Sequence, residues 1–206
     1  MKLSTLHKSG GYAIIIGAFL FAVWAVCWTF LLPNPEQVKD FTITVSSPHW
    51  IWINSLALPA MFLTVFGFTA LYSRMYEKSG WLGFTGYIFI TTAYILQAAM
   101  LTWEIFLYPV FVSYKPSAAL LRDNIMLNHP MVSIFNYLFM ITIFLGVLLF
   151  GIALIRFPGF KKIGGILFLA GALIYAVAPS IYLSIISVLA FSAGCFILGM
   201  NLMKQE

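Results

Sequence analysis

The sequence predicts an all-α integral membrane protein, a single domain built as a bundle of six transmembrane helices. Of its 206 residues, 62% are hydrophobic and only 8% are charged, whereas a soluble domain carries about a quarter charged residues. The apolar residues form blocks of roughly twenty, the length that an α-helix needs to cross a ~30 Å hydrocarbon layer. No block shows the apolar–polar alternation of a barrel strand. Helices, which satisfy their own backbone hydrogen bonds, are therefore the predicted spanning elements.

The six predicted spans follow one another along the chain with few interruptions. They cover residues 11–32, 51–72, 82–107, 132–155, 163–178 and 181–202. Pro33 and Pro35 end the first span, and Pro179 makes a tight turn between the last two. We expect Pro109 to end or bend the third helix. The first block is longer than the apolar region of a signal peptide, so we interpret it as a retained span.

Basic residues are distributed unevenly between the predicted connections. With the N-terminus inside, the inner segments hold Lys2, Lys8, Arg74, Lys78, Arg156, Lys161, Lys162 and Lys204, and the outer segments hold Lys39, Lys115 and Arg122. This bias predicts a multi-pass protein of the cell (inner) membrane with both termini in the cytoplasm. Because the basic residues are scattered singly, the bilayer is the expected partner and nucleic acid is not.

The two predicted outer loops, 33–50 and 109–131, are much longer than the inner ones. Within the second, Leu121 and Ile125 fall at helical spacing, which indicates a short helix lying on the membrane surface. A connector without regular structure is the alternative. Three spans are also preceded by a lysine followed by small residues, at Lys8, Lys78 and Lys162. This weak repeat leaves open a bundle of three helical hairpins produced by duplication.

One polar stripe runs along the third predicted span. Steps of three and four residues place its members on one helix face: Tyr87, Thr91, Tyr94, Gln97, Leu101, Glu104 and Tyr108. An acid inside a bilayer is costly and marks a functional site by default. Three interpretations of Glu104 stay open: a ligand or proton site, an interhelical hydrogen bond, or an interfacial carboxylate that reaches water.

His49 and His129 each stand at the outer start of an inward-going helix, at a depth similar to that of Glu104. Together with Asn54 and Asn136, they form a predicted cluster that suits a polar headgroup, a divalent metal or a cofactor. Haem is a further alternative, and so are unrelated interfacial histidines. The predicted ligand-binding residues are Trp52, Asn54, Gln97, Glu104, Ser133 and Asn136, in a cavity covered by the two outer loops.

The remaining motifs give no reaction. Cys27 and Cys195 lie at different depths in the first and last spans, so we expect free thiols rather than a disulfide. Phosphate-loop, zinc-protease and nucleophile-elbow motifs are missing from the sequence. We therefore predict no catalytic residues, and an enzyme is not the favoured interpretation.

Two resemblances bear on function. The runs from Phe66 to Arg74, from Gly80 to Phe84 and from Trp103 to Phe106 resemble small multi-pass bacterial membrane proteins of unknown function. This resemblance covers about a quarter of the chain and implies a bacterial origin. The overall plan, with Ala18 and Ala22 four residues apart in the first span, is similar to the substrate-binding subunits of energy-coupling-factor vitamin transporters. Those are six-helix proteins whose outer loops cover a pocket.

The sequence thus predicts a binding or transport protein for a small amphiphilic ligand that enters from the outer face. Two alternatives remain at this point. One is a redox subunit that binds a metal, haem or quinone through His49, His129 and Glu104. The other is a structural or immunity partner of another membrane protein.

Overall fold

The computed structural model describes residues 3–34, 38, 40–123, 125–126, 128–177 and 180–204, and over these residues the chain is helical without a strand. The helices are α1 (Leu3–Leu31), α2 (Phe41–Val45), α3 (Trp50–Phe106), α4 (Tyr108–Ser113), α5 (Lys115–Arg122), α6 (Pro130–Arg156), α7 (Lys162–Val177) and α8 (Ile181–Lys204). Four residues used in the sequence-based predictions lie outside the described residues: Lys2, Pro35, Lys39 and Pro179.

Helix α3 folds back on itself at Gly80. This residue has φ 56° and ψ −152°, a conformation that is essentially restricted to glycine. The hydroxyls of Thr69 and Tyr87 are hydrogen-bonded over 3.0 Å, so the two sides of the break lie against each other. We call residues 50–79 the first arm and residues 81–106 the second arm. Residues 73–81, which connect the second and third predicted spans, are helical apart from this single break.

Within the described part of the chain, four helices are long and apolar enough to cross a membrane. They are Leu3–Leu31, the stretch Trp50–Ser113 that includes both arms, Pro130–Arg156 and Ile181–Lys204, and α7 is a shorter apolar helix. Helix α1 begins at Leu3 rather than at residue 11, so it extends well beyond the predicted span. Helix α3 ends at Phe106, close to Pro109 as expected, and α4 carries this proline in its first turn.

The long helices form a closed ring in chain order. Helix α1 packs against α3 and α8, α3 against α6, α6 against α7, and α7 against α8. Gly10 faces Ala70 of the first arm, and Gly11 faces Met203 of α8. Each helix therefore neighbours the one that follows it, and the last neighbours the first.

Glycines permit a close approach between the second arm and α6. A Cβ atom at Gly146 would lie 2.5 Å from the backbone nitrogen of Ile90, and one at Gly86 would collide with the backbone of Phe150. Small residues bring membrane helices together in this way. These two contacts also set the antiparallel register of the two helices.

Phenylalanine side chains fill the axis of the ring. Phe68 lies edge-on to Phe150 at 5.6 Å and to Phe168 at 5.8 Å between ring centroids, and Phe168 contacts Phe191 at 5.0 Å. Phe68, Phe150 and Phe168 are fully buried. This aromatic cluster, Phe68, Phe150, Phe168 and Phe191, joins the first arm, α6, α7 and α8.

A second apolar cluster covers the ends of α1 and α3. Its buried members are Leu32, Val45, Trp50, Ile53, Tyr108 and Leu121. The short helices α2, α4 and α5 supply Val45, Tyr108 and Leu121 respectively. A short helix in this loop is therefore confirmed over Lys115–Arg122, whereas Ile125 lies beyond it and is exposed. We call this end of the bundle the capped end.

The opposite end carries most of the positive charge. The described residues there include Lys8, Arg74, Lys78, Arg156, Lys161, Lys162 and Lys204, while Lys115 and Arg122 lie at the capped end. The contacts of Gly10 with Ala70 and of Gly11 with Met203 bring the starts and ends of these helices to one level. We call this the basic end.

Candidate functional site

A cavity of about 290 Å³ lies inside the ring. Helices α1, α3, α6, α7 and α8 all contribute to its wall, which includes Phe21, Met61, Phe139, Phe144, Val188 and Phe191. Phe191 also belongs to the aromatic cluster. Phe68 and Phe150 come after the cavity residues on helices that run toward the basic end, and Phe168 precedes them on α7, which runs away from it. The cluster therefore forms the floor of the cavity, and the cavity extends from it toward the capped end.

The polar side chains of the cavity wall are Tyr94, Gln97, Tyr175 and Ser187. Ser187 donates a hydrogen bond to the carbonyl oxygen of Ser184 over 2.7 Å. The amide of Gln97 has no hydrogen-bond partner within the described part of the chain. An amide that is both donor and acceptor is thus available in a largely apolar wall, which is the composition typical of small-molecule pockets.

Two more polar groups lie toward the capped end from the cavity. Extended along the two helices, the antiparallel register of Gly86 and Gly146 brings Gln97 to the level of Phe139 and Met100 to the level of Asn136. Asn136 is one turn from Phe139 and Met140, on the cavity side of α6. Its side-chain oxygen is buried and lacks a hydrogen-bond partner among the described residues. The amide of Asn136 is therefore held near the mouth of the cavity.

Glu104 lies two turns beyond Gln97 on the same face of the second arm. Its carboxylate is close enough to Tyr108 and to Tyr175, a cavity residue, to interact with both electrostatically. It forms no ion pair with a described residue. The predicted polar stripe faces the protein, since none of its seven members is exposed. This arrangement places an acid above the mouth of an apolar cavity.

The mouth of the cavity lies toward the capped end, where it opens sideways between α6 and α7. Met140 and Phe144 of α6 and Tyr175 of α7 line it, yet they are 47%, 49% and 50% exposed. Glycines make the close contacts of these two helices nearer the basic end, where Gly151 faces Leu169 and Gly165 faces Ile155. The helices thus meet at the basic end and part toward the capped end.

Of the six predicted ligand-binding residues, Gln97 lines the cavity. Asn54 is fully buried and engaged, because its oxygen accepts from Trp24 Nε1 at 3.4 Å and its nitrogen donates to the Trp50 carbonyl at 3.1 Å. Trp52 is 42% exposed and donates to His49 Nδ1. Ser133 is half-buried, one turn before Asn136. The outer loops pack on α1 and α3, and no described loop residue lines the cavity.

The two predicted metal-site histidines are both exposed and have local roles. His49 accepts the hydrogen bond from Trp52, and Nδ1 of His129 accepts from the backbone nitrogen of Met131 at the start of α6. Within the described ranges, no three histidine, cysteine, aspartate or glutamate side chains are grouped to hold a metal ion. His49, His129 and Glu104 are thus not assembled into one centre. Cys27 and Cys195 are free, as expected.

Most of the cavity wall was missed by sequence reasoning, because Gln97 alone of the predicted ligand-binding residues lines it. Tyr175 and Phe191 lie on α7 and α8, whose sequences are mostly apolar. Periodicity carries no signal there, because lipid and an apolar cavity select the same side chains. His7, which is not a cavity residue, was also missed. It is buried in α1, and its Nε2 atom has no partner within the described residues.

Comparison with protein-family models, with curated proteins and with solved structures finds no match to this chain.

Proposed function

We propose that the chain crosses the membrane six times, with both termini in the cytoplasm. The break at Gly80 supports two crossings by α3, since each arm has about the length that a crossing requires. Helix α7, at 16 residues, is short for a crossing and would be accommodated by local thinning of the bilayer. The concentration of lysine and arginine at the basic end supports its placement in the cytoplasm.

We propose further that the protein binds a small amphiphilic molecule, as the binding component of an uptake, carrier or sensing system. The single observation that carries this proposal is the apolar cavity with its unpartnered polar side chains toward one end. An apolar tail fits against Phe139, Phe144 and Val188. A hydrogen-bonding or cationic head fits beside Gln97 and Glu104, whose side chains have no partner among the described residues.

The side opening gives such a molecule a route from the outer leaflet. A tail already dissolved in lipid reaches the cavity between α6 and α7 without entering water. The route does not require the outer loops to move, because those loops pack over α1 and α3 instead. This proposal thus differs from the sequence-based expectation of a loop-covered cavity that opens at the outer surface.

Cavity filling tests the proposal directly. Ala172 lines the cavity, and Ala172→Phe places a ring inside it. Ala99 is exposed on the outer surface of the second arm, so Ala99→Phe adds the same ring toward lipid. Native mass spectrometry of protein extracted in mild detergent should show a small molecule retained by the wild type and by Ala99→Phe, and lost from Ala172→Phe. Equal retention by both variants, or none by the wild type, would contradict the proposal.

The head-binding role of the second arm needs a separate variant. Gln97→Leu removes the amide from the cavity and puts an apolar side chain of similar size in its place. We expect a roughly tenfold lower retention, because a site with a lost polar partner discriminates by about 1–3 kcal/mol. Thr92→Leu, on the exposed face of the same helix, is the matched control and should retain the molecule fully.

A further inference from the structure

A second cavity, of about 250 Å³, opens at the basic end, far from the first. It lies where the chain turns at Gly80 between the two arms of α3, beside the end of α6. Lys78, Ser79 and Trp81 line one side, and Arg156 and Phe157 line the other. The pocket therefore sits at the level at which the two arms and α6 leave the apolar part of the bundle.

Two cations converge on this pocket without an acid between them. Lys78 and Arg156 are exposed, and neither forms an ion pair or hydrogen bond with another described residue. The acidic neighbour of Lys78 in the chain, Glu77, accepts a hydrogen bond from Tyr76 over 2.9 Å and is not part of the pocket wall. The pocket thus presents two uncompensated positive charges, one of them a guanidinium that can bind an anion through two parallel hydrogen bonds.

A third polar group completes the pocket. The hydroxyl of Ser79 is buried and has no hydrogen-bond partner among the described residues. A buried hydroxyl without a partner is unusual in a folded protein, and this one belongs to the same wall as Lys78. The oxygen is covered in the structure, so the Ser79 side chain must rotate into the pocket before an oxyanion between Lys78 and Arg156 can supply the missing acceptor.

The rim of the pocket is apolar. Trp81 is 72% exposed on the wall that carries Lys78, and Phe157 belongs to the wall that carries Arg156. Tryptophan is enriched at the level of lipid headgroups, where its ring meets chains on one side and water on the other. The rim therefore suits an anion that is attached to hydrocarbon chains better than one that is free in solution.

We propose that this pocket binds a phosphate group, presented by the headgroup of an anionic phospholipid of the adjacent leaflet. Lys78 and Arg156 hold the phosphate oxygens, Ser79 donates to one of them, and Trp81 contacts the upper part of the acyl chains. Basic pockets between membrane helices on the cytoplasmic side recognise lipid headgroups through the same chemistry. The inference is independent of the amphiphile cavity, from which the aromatic cluster separates it.

The test uses the full chain in detergent, titrated with short-chain phosphatidylglycerol and followed by native mass spectrometry. Lys78→Gln with Arg156→Gln removes both cations from the pocket. Lys161→Gln with Lys162→Gln removes the same charge from the same end, outside the pocket wall. We expect the pocket variant to bind about thirtyfold more weakly, the combined effect of two cations near a lipid phosphate, and the control variant to bind like the wild type.

Further arms identify the source of the phosphate. In the first arm, millimolar inorganic phosphate is added to protein that has bound the lipid. Displacement of the lipid as effective as that by further lipid would indicate a site for the free ion, and weaker displacement would support the lipid headgroup. Ser79→Ala should lower the affinity without changing charge. Equal weakening in both double variants would overturn the proposal, since it would show that the lipid is attracted only by the overall positive charge of the basic end. Unchanged binding in Lys78→Gln with Arg156→Gln would overturn it as well.

Discussion

The indole nitrogen of Trp50 donates a hydrogen bond to the main-chain carbonyl oxygen of Glu104 over 2.8 Å. These residues are 54 positions apart, and a straight helix would hold them about 80 Å from each other. The bond therefore joins the two open ends of α3 and fixes the second arm, with its polar stripe, against the first. Trp50 is almost fully buried, and its ring lies edge-on to Phe41 at 5.8 Å.

The first prediction follows from this bond. Trp50→Phe keeps an aromatic ring but leaves the Glu104 carbonyl without its donor. We expect a loss of about 1 kcal/mol in stability, measured as a melting temperature lowered by ~3 °C in detergent. Trp52→Phe is the control, because that indole bonds to His49 at an exposed site. Equal shifts for the two variants would show that the link between the arms contributes nothing special.

The aromatic cluster gives the second prediction. Phe68→Ala removes the ring that touches Phe150 and Phe168, and the surrounding helices cannot collapse fully into the space. We expect destabilisation of about 3 kcal/mol. Phe62→Ala, on the same arm but 61% exposed, should cost far less, since lipid or detergent replaces its contacts. Thermal unfolding of the two purified variants makes the comparison, and similar melting temperatures would contradict a packed axis.

The third prediction concerns the backbone at Gly80. A Cβ atom there would meet nothing within 4 Å, so Gly80→Ala introduces conformational strain and no steric clash. The expected cost is roughly 1–3 kcal/mol. Glu77→Ala, at an exposed helical position three residues earlier, is the control and should be close to neutral. If Gly80→Ala melts at the wild-type temperature, the sharp reversal of α3 at this residue is not the native one.

The fourth prediction is topological. Single cysteines at Ser46 and Lys115, both exposed at the capped end, should react with a membrane-impermeant thiol reagent applied to intact cells. Cysteines at Glu77 and Lys204, exposed at the basic end, should react only after the cells are opened. The parent protein is the blank, since Cys195 is buried and Cys27 half-buried. Labelling of the basic end in intact cells would reverse the proposed orientation.

The helices could be predicted well from the sequence and the cavity poorly, for a physical reason. The thickness of the bilayer sets the length of each apolar block. The span predicted over residues 132–155 therefore matches α6 almost to its ends. The face of the second arm was also readable, because Gln97 and Glu104 are expensive in lipid. Phe144 and Val188 could not be assigned to the cavity in this way, because lipid and an apolar cavity accept the same apolar side chains.

Asn54 illustrates a different limit. Its amide suggested a ligand, yet it lies between Trp24 and the Trp50 carbonyl and links α1 to the first arm. Spacing along one helix shows which residues share a face, but it does not show which neighbour already uses their hydrogen bonds. The partner of Asn54 lies 30 residues away, and only the packed ring brings the two together.

The floor formed by Phe68, Phe150, Phe168 and Phe191 has an electrical consequence. An ion that moved from the upper cavity to the basic end would have to shed its hydration among four benzene rings, and a bare charge in such a medium costs tens of kcal/mol. A guest molecule in the proposed site of the upper half would therefore leave the lower half of the bundle impermeable to ions. A cell that produces the protein in quantity should maintain its membrane voltage, and replacing Phe68 or Phe150 by a polar residue would be the change that permits leakage.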